Sequence, residues 1–226
     1  MSESLNQQLA DLHAERERSW DPAALAVNVR QRQRLVDEAP GRGFVRAGDS
    51  LAPFDLLKLE GGTLSLDALV SDGPAVLVFF RFAGCPACNL AIPHYERELQ
   101  PWLRAQGIPL VAVSPQVPER LIEIKERHRL TLQVASDPDN TLARRLGIVY
   151  EFDEASKAAA LAKGKGIGEV TGTGTWELPQ PTVVVIGQDR VVYFAEVSPD
   201  WLVRAEVQPV IEAVRALVGS EVEVAV

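Results

Sequence analysis

The chain has 226 residues, 46% hydrophobic and 24% charged, a composition that excludes collagen, coiled-coil rods and intrinsic disorder and suits one domain with an extension. Its 23 Lys and Arg against 31 Asp and Glu leave a net charge of −8, so nucleic acid, whose affinity rests on cations, is not expected as a partner. The longest apolar run, residues 75–80, is closed by Arg81, far short of the roughly 20 residues that span a bilayer. With no basic segment leading into an apolar one near the N-terminus, the expectation is a cytoplasmic protein with no membrane partner.

Residues 3–39 read as helical, with Leu5, Leu9, Leu12, Leu25, Val29 and Val36 spaced at threes, fours and sevens. Asp21 and Pro22 divide them into two helices, the acid as N-cap and the proline at the first helical position. Two readings of this arm and its linker, residues 1–47, stay open: a cover packed on its own domain, or a homodimer contact. From Gly48 short strands alternate with helices, the pattern of parallel βαβ units. The expected order is strand 54–59, a Gly61-Gly62 turn, a short helical segment 64–69, strand 75–82, helix 86–106, strand 109–113, helix 118–128, strand 132–135 and helix 139–146. A hairpin of strands 182–186 and 191–195 turns at Gly187-Gln188-Asp189, and a helix over 201–218 closes the domain of residues 48–218, leaving 219–226 as a tail. An insertion at 154–178 contains GKGIGEVTGTG, which follows a helix and lacks the spacing of a phosphate loop. It reads as a mobile surface loop.

Cys85 and Cys88 are the only cysteines, so no disulfide framework staples the fold. A C-x-x-C serves a dithiol redox pair, half of a metal site, or two incidental core thiols. A metal site lacks partners, because His13, His94 and His128 are scattered, and none is expected. A continuous apolar strand leads to Cys85, and Pro86 suits the first helical position, which makes Cys85 the N-cap. There a thiolate faces free N–H groups and the positive end of the helix dipole, both of which lower its pKa and mark Cys85 as nucleophile. Cys88, one turn along, is the natural resolving thiol.

Pro93 is expected to kink this helix, and a cis Gln180–Pro181 peptide is expected to face the dithiol. His94, nine residues from Cys85, should point away from the site. Trp176 and Trp201 either line the pocket rim or pack as ordinary aromatics, while Asp55, Glu96 and Glu98 read as solvated charges.

A strand, C-x-x-C, helix and ββα tail, with Pro93 and Pro181, resemble the thioredoxin fold. GDSLAPFDLLKLEGGTLSLDALVSDGPAVLVFF resembles the opening of the peroxiredoxin and alkyl hydroperoxide reductase (AhpC/TSA) family. VAVSPQ and SDPDN are similar to the family's middle, and WELPQPTVVVIGQDRVVYFAEVSPD to its C-terminal hairpin, so that about residues 48–217 are covered. The resemblance implies an α/β protein, a thioredoxin-like three-layer sandwich with a central mixed sheet, here with an N-terminal helical extension. It implies a peroxidatic Cys85, a resolving Cys88 unusually close to it, no cofactor, and an external dithiol reductant of thioredoxin-like or glutathione-like kind.

The chain departs from the family at three places. Val78 and Phe82 stand where a proline and a threonine or serine precede the peroxidatic cysteine, and Gln180 stands where an arginine precedes the late strand. Arg81 is the candidate replacement for that guanidinium, with a strand-end ion-pairing arginine as the alternative. The expected activity is a thiol-dependent peroxidase, with a thiol–disulfide oxidoreductase and a non-catalytic interaction protein as alternatives.

Overall fold

In the computed structural model, which describes residues 3–164 and 166–224, strand and helix alternation builds a seven-stranded mixed sheet. Two arm helices, α1 (Leu5–Ser19) and α2 (Pro22–Glu38), precede β1 (Asp55–Lys58), β2 (Thr63–Ser65), α3 (Leu66–Leu69) and β3 (Ala75–Phe79). Then come α4 (Pro86–Glu98), α5 (Gln100–Arg104), β4 (Leu110–Ser114), α6 (Pro118–His128), β5 (Gln133–Ser136) and α7 (Thr141–Arg145). The rest is β6 (Val149–Glu151), α8 (Glu154–Ala162), α9 (Ile167–Thr171), β7 (Glu177–Pro179), β8 (Thr182–Ile186), β9 (Val192–Val197) and α10 (Val207–Val224).

The sheet order is β2-β1-β5-β4-β3-β8-β9. Its centre, β3, β4 and β5, is parallel, whereas β1 joins β5 and β8 joins β3 antiparallel. All five residues of β3 are buried, as a strand covered on both faces requires. Their alternation divides the core: Val76 and Val78 face the layer that contains Cys85 and Cys88, and Leu77 and Phe79 face the layer of Leu56 and Ala143. This is the thioredoxin-like sandwich that the resemblance implied.

Several expected boundaries shift, each for a local reason. The helix expected over 86–106 divides at Leu99 into α4 and α5. Pro101 withdraws an N–H and ends the continuous ladder, whereas Pro93 is accommodated inside α4. The segment expected as helix over 64–69 is β2 followed by α3, and the strand into the site ends at Phe79. The closing helix starts at Val207, not Trp201, which places Pro209 in the first turn, where its missing N–H has no intrahelical role. It runs through Val224 and takes up most of the expected tail, whose last two residues lie outside those described. Among the described residues there is no cis peptide, so the Gln180–Pro181 bond is trans, the ordinary lower-energy form. The segment is pinned there by Gln180 N donating to Ile148 O and Ser198 N to Pro181 O, both at 2.8 Å.

The glycine-rich insertion is not a loose surface loop. It packs, because Val117 N donates to Thr171 O at 3.0 Å and Ile167, Gly168 and Thr171 are buried. A Cβ on Gly168 would come within 2.6 Å of the Gly174 backbone, and one on Gly172, at φ +80°, within 2.7 Å of Val117 Cγ2. These glycines permit close backbone approach and a left-handed turn. Lys165, within this insertion, lies outside the described residues.

The arm covers its own domain. Leu5 and Leu9 are fully buried in the cluster that holds the dithiol, and α1 packs on α4. Glu206 accepts from Leu5 N and Asn6 N at 3.1 and 2.9 Å, and Arg204 N donates to Asn6 Oδ1 at 2.8 Å. On α2, Arg32 grips Asp200 through both carboxylate oxygens at 3.1 and 2.9 Å.

Candidate dithiol site

Cys85 caps α4 from an extended backbone conformation, with Pro86 at the start of the helix, and its Sγ accepts from Cys88 N at 3.4 Å. Both cysteines are free thiols in the core, Cys85 1% exposed and Cys88 0%. The turn that presents them is braced from three directions. Asn89 Nδ2 donates to the carbonyls of Ala83 and Cys85 at 2.7 and 2.9 Å. Ala83 N donates to Gln116 Oε1 at 2.8 Å, and Arg127 Nη1 donates to Ala83 O and to Asn89 Oδ1 at 3.1 and 2.9 Å.

Two buried guanidiniums flank the sulfurs. Arg81 Nη1 lies 3.9 Å from Cys85 Sγ, and Arg204 Nη2 lies 3.9 Å from Cys88 Sγ. Among the described residues neither arginine forms a salt bridge to a carboxylate. Arg81 is wrapped in aromatic rings, with its Cζ 4.1 Å from the Trp201 centroid, 5.7 Å from those of Phe82 and Phe152, and 5.9 Å from that of Tyr150. The rings stack on one another, Tyr150 on Trp201 at 5.9 Å and on Phe152 at 6.1 Å. They offer the guanidinium their negative faces and bury most of it, which strengthens its attraction for a nearby anion.

The electrostatics separate the two thiols. For Cys85, burial alone would raise the pKa. The Cys88 hydrogen bonds and the Arg81 and Arg204 charges outweigh it and hold the thiol down at about 5. For Cys88, burial, the hydrogen bond to Cys85 and the neighbouring charge all push upward, well above the ordinary thiol value. The site therefore favours a thiolate at Cys85 beside a thiol at Cys88. The guanidinium of Arg16, in α1, is pulled down mainly by burial and then by Arg32 and Arg81, with Cys85 acting in the opposite direction.

Pro181 borders the same void, about 10 Å³, as Cys88 and Arg204. Gln180, at the departure from the family, is fully buried with neither amide atom partnered. His94 faces the arm, 3.3 Å from Gln8 Nε2, and not the dithiol. Trp201 belongs to the Arg81 cage, and Trp176 packs on Phe152 at 6.0 Å. Glu96 is not merely solvated, since it accepts from Thr131 Oγ1, Thr131 N and Leu132 N at 2.6, 3.1 and 3.0 Å. Asp55 is exposed and Glu98 half-buried.

Sequence reasoning missed Arg204, which it placed in a helix, and Tyr150, Asn89 and Gln116. Of these, Asn89 carried a signal, since a residue four beyond an N-cap lies one turn above it. No cluster of three or more His, Cys, Asp or Glu able to hold a metal occurs among the described residues. No helix among them is long and apolar enough to cross a membrane.

Residues 47–195 match the model of the AhpC/TSA family. The chain is 31% identical over 110 residues to the thiol-disulfide oxidoreductase ResA of Halalkalibacterium halodurans, covering 47% of this chain and 60% of that protein. It is 29% identical over 104 residues to a putative peroxiredoxin of Mycobacterium tuberculosis, covering 46% and 67%. The chain thus spans about two thirds or less of the length of these relatives. In fold it is similar to the peroxidoxin BcpB of Mycobacterium tuberculosis, with a TM-score of 0.59 at 23% identity over 76% of this chain and 98% of that one.

Proposed function

The chain belongs to the AhpC/TSA family, and from that premise we propose that it is a thiol-dependent peroxidase for hydrogen peroxide or organic hydroperoxides. What carries the reading is the asymmetry of the dithiol: a low-pKa Cys85 at a helix N-terminus beside Arg81, and a protonated Cys88 one turn along. The Cys85 thiolate attacks the outer peroxide oxygen, the O–O bond breaks, and the departing alkoxide or hydroxide takes up a proton, leaving a sulfenic acid. Cys88 then attacks the Cys85 sulfur and gives up its proton, water leaves, and a disulfide forms. An external dithiol of thioredoxin-like or glutathione-like kind reduces this disulfide and is itself oxidised, so no bound cofactor takes part. Arg81, next to the sulfur, supplies charge for the developing oxyanion where Phe82 offers no hydroxyl. Pro86 sets the helix start, and Pro181 shapes the wall beside Cys88.

Stopped-flow thiol loss on mixing reduced protein with stoichiometric hydrogen peroxide tests this reading, alongside Cys85→Ser and Cys88→Ser. The expected result is rapid loss of two thiols, none in Cys85→Ser, and a persistent sulfenic acid in Cys88→Ser. Oxidation no faster than that of a free cysteine overturns it.

A second reading, thiol–disulfide exchange with a protein or small-molecule disulfide, is favoured by the missing hydroxyl at Phe82 and by the match to ResA. A third, a non-catalytic interaction protein, is favoured by the burial of Cys85, and absence of alkylation in the folded protein would select it. We place the reaction in the cytoplasm, where thiols are kept reduced. A homodimer through the arm would use the outward Val29 and Val36, because Leu5, Leu9 and Leu35 are already buried in their own domain.

A further inference from the structure

Between α2, α8 and the Arg81 cage lies a cavity of about 190 Å³. Most of its walls come from the arm and the insertion, and Arg81, Phe152 and Trp201 complete them. Trp20, Phe152 and Trp201 supply aromatic surface, and Gln31, Arg81 and Lys163 supply donors. Among the described residues no carboxylate lines it, and Arg81 and Lys163 give its walls two formal positive charges. Gln31 is 1% exposed and its Oε1 is engaged by Asp153 N at 2.7 Å, yet its Nε2 is buried without a partner. Arg81, 8% exposed, likewise leaves its Nε unpartnered. Lys163 Nζ stands 4.9 Å from the Trp20 ring centroid.

A buried donor without an acceptor is unfavourable, and the two side chains that carry these donors line one cavity, which an acceptor from outside the chain would complete. The aromatic walls call for a flat apolar body. An engineered cavity of about 150 Å³ already admits benzene, so this one has room for such a ring with one small acidic group. We propose that the cavity is a binding site for a small aromatic carboxylate, its ring between Trp20, Phe152 and Trp201 and its oxygens on the Gln31 amide, the Arg81 guanidinium and the Lys163 ammonium. Binding does not require peroxide reduction, so this proposal and the peroxidase reading stand or fall separately.

Titration calorimetry of the full reduced chain with benzoate, against the neutral benzamide, tests it. Charge-assisted hydrogen bonds of this kind correspond to about a tenfold preference for benzoate. Gln31→Leu and Lys163→Met are each expected to weaken benzoate by several-fold, and Ala160→Trp, which fills the cavity, to abolish binding while far-UV circular dichroism stays native. Equal affinity for benzoate and benzamide, or benzoate binding that survives both Gln31→Leu and Lys163→Met, overturns the proposal. If Ala160→Trp does not fold, the two donor variants decide.

Discussion

Arg81 Nη1 lies 3.9 Å from Cys85 Sγ, inside a cage of aromatic rings that leaves the arginine 8% exposed. A buried guanidinium costs several kcal/mol unless an anion stands beside it, and a buried thiolate is equally costly without a cation. Each group therefore favours the charged state of the other. The surrounding rings add about 0.5–2 kcal/mol of cation–π attraction apiece where they are desolvated.

Arg81→Met keeps the apolar volume of the side chain and removes the charge. In a Cys88→Ser background, the pH midpoint of Cys85 alkylation is expected to rise by a unit or more, each unit being about 1.4 kcal/mol. Iodoacetamide rates across pH 4–9 check this, and an unchanged midpoint would leave the thiolate to Arg204 and the hydrogen bonds from residue 88.

The depressed Cys85 pKa also makes stability pH-dependent. Between about 5 and the ordinary thiol value of 9.0, the unfolded chain holds a proton on Cys85 that the folded chain has released, so stability rises with pH across that window. The contribution is fully present above the unfolded value and lost as pH falls through the folded one. Urea midpoints of the reduced protein minus those of Cys85→Ala are expected to grow from pH 5 to pH 8.5, and a flat difference would contradict the assignment.

Asn89→Ala removes two donors to the turn carbonyls of Ala83 and Cys85 and the acceptor for Arg127 and His128. A loss of about 1 kcal/mol is expected, the net worth of the side-chain bonds removed, since Ala83 O keeps Arg127 Nη1 and Cys85 O keeps the backbone N–H of residue 89. Equilibrium denaturation measures it. A longer-lived sulfenic acid on Cys85 is expected as well, because the turn no longer holds Cys88 in position to resolve it.

Glu206→Ala takes away the acceptor for Leu5 N and Asn6 N at the start of α1. With its first turn untied, the arm is expected to open more often and admit a bulky maleimide to the dithiol several-fold faster. Amide exchange in α1 reports the opening directly, and equal labelling of variant and parent would remove the arm from control of access.

The redox turn was legible because its rules are local. Pro86 after Cys85 specifies a helix start, a buried apolar strand before it specifies the sheet centre, and the three-residue spacing brings the second thiol within one turn. The 182–186 strand and its hairpin partner were legible for the same kind of reason. The glycine-rich insertion was misread as mobile because composition does not distinguish a glycine that frees the chain from one that lets backbones touch, as Gly168 does against Gly174. The closing helix was read too early because apolar periodicity runs on through Trp201–Arg204, whereas Pro209 belongs in its first turn.

By itself the sequence determined a dithiol at a helix N-terminus on a buried sheet, since capping, strand burial and one-turn spacing act between near neighbours. Tertiary structure decided the electrostatic character of that dithiol. Arg204 reaches Cys88 across 116 positions of chain, Tyr150 and Trp201 close around Arg81, and the arm packs on the helix that carries the pair. Charge interactions in a low-dielectric interior depend on distance in space and on burial, neither of which is written in the spacing of residues along the chain.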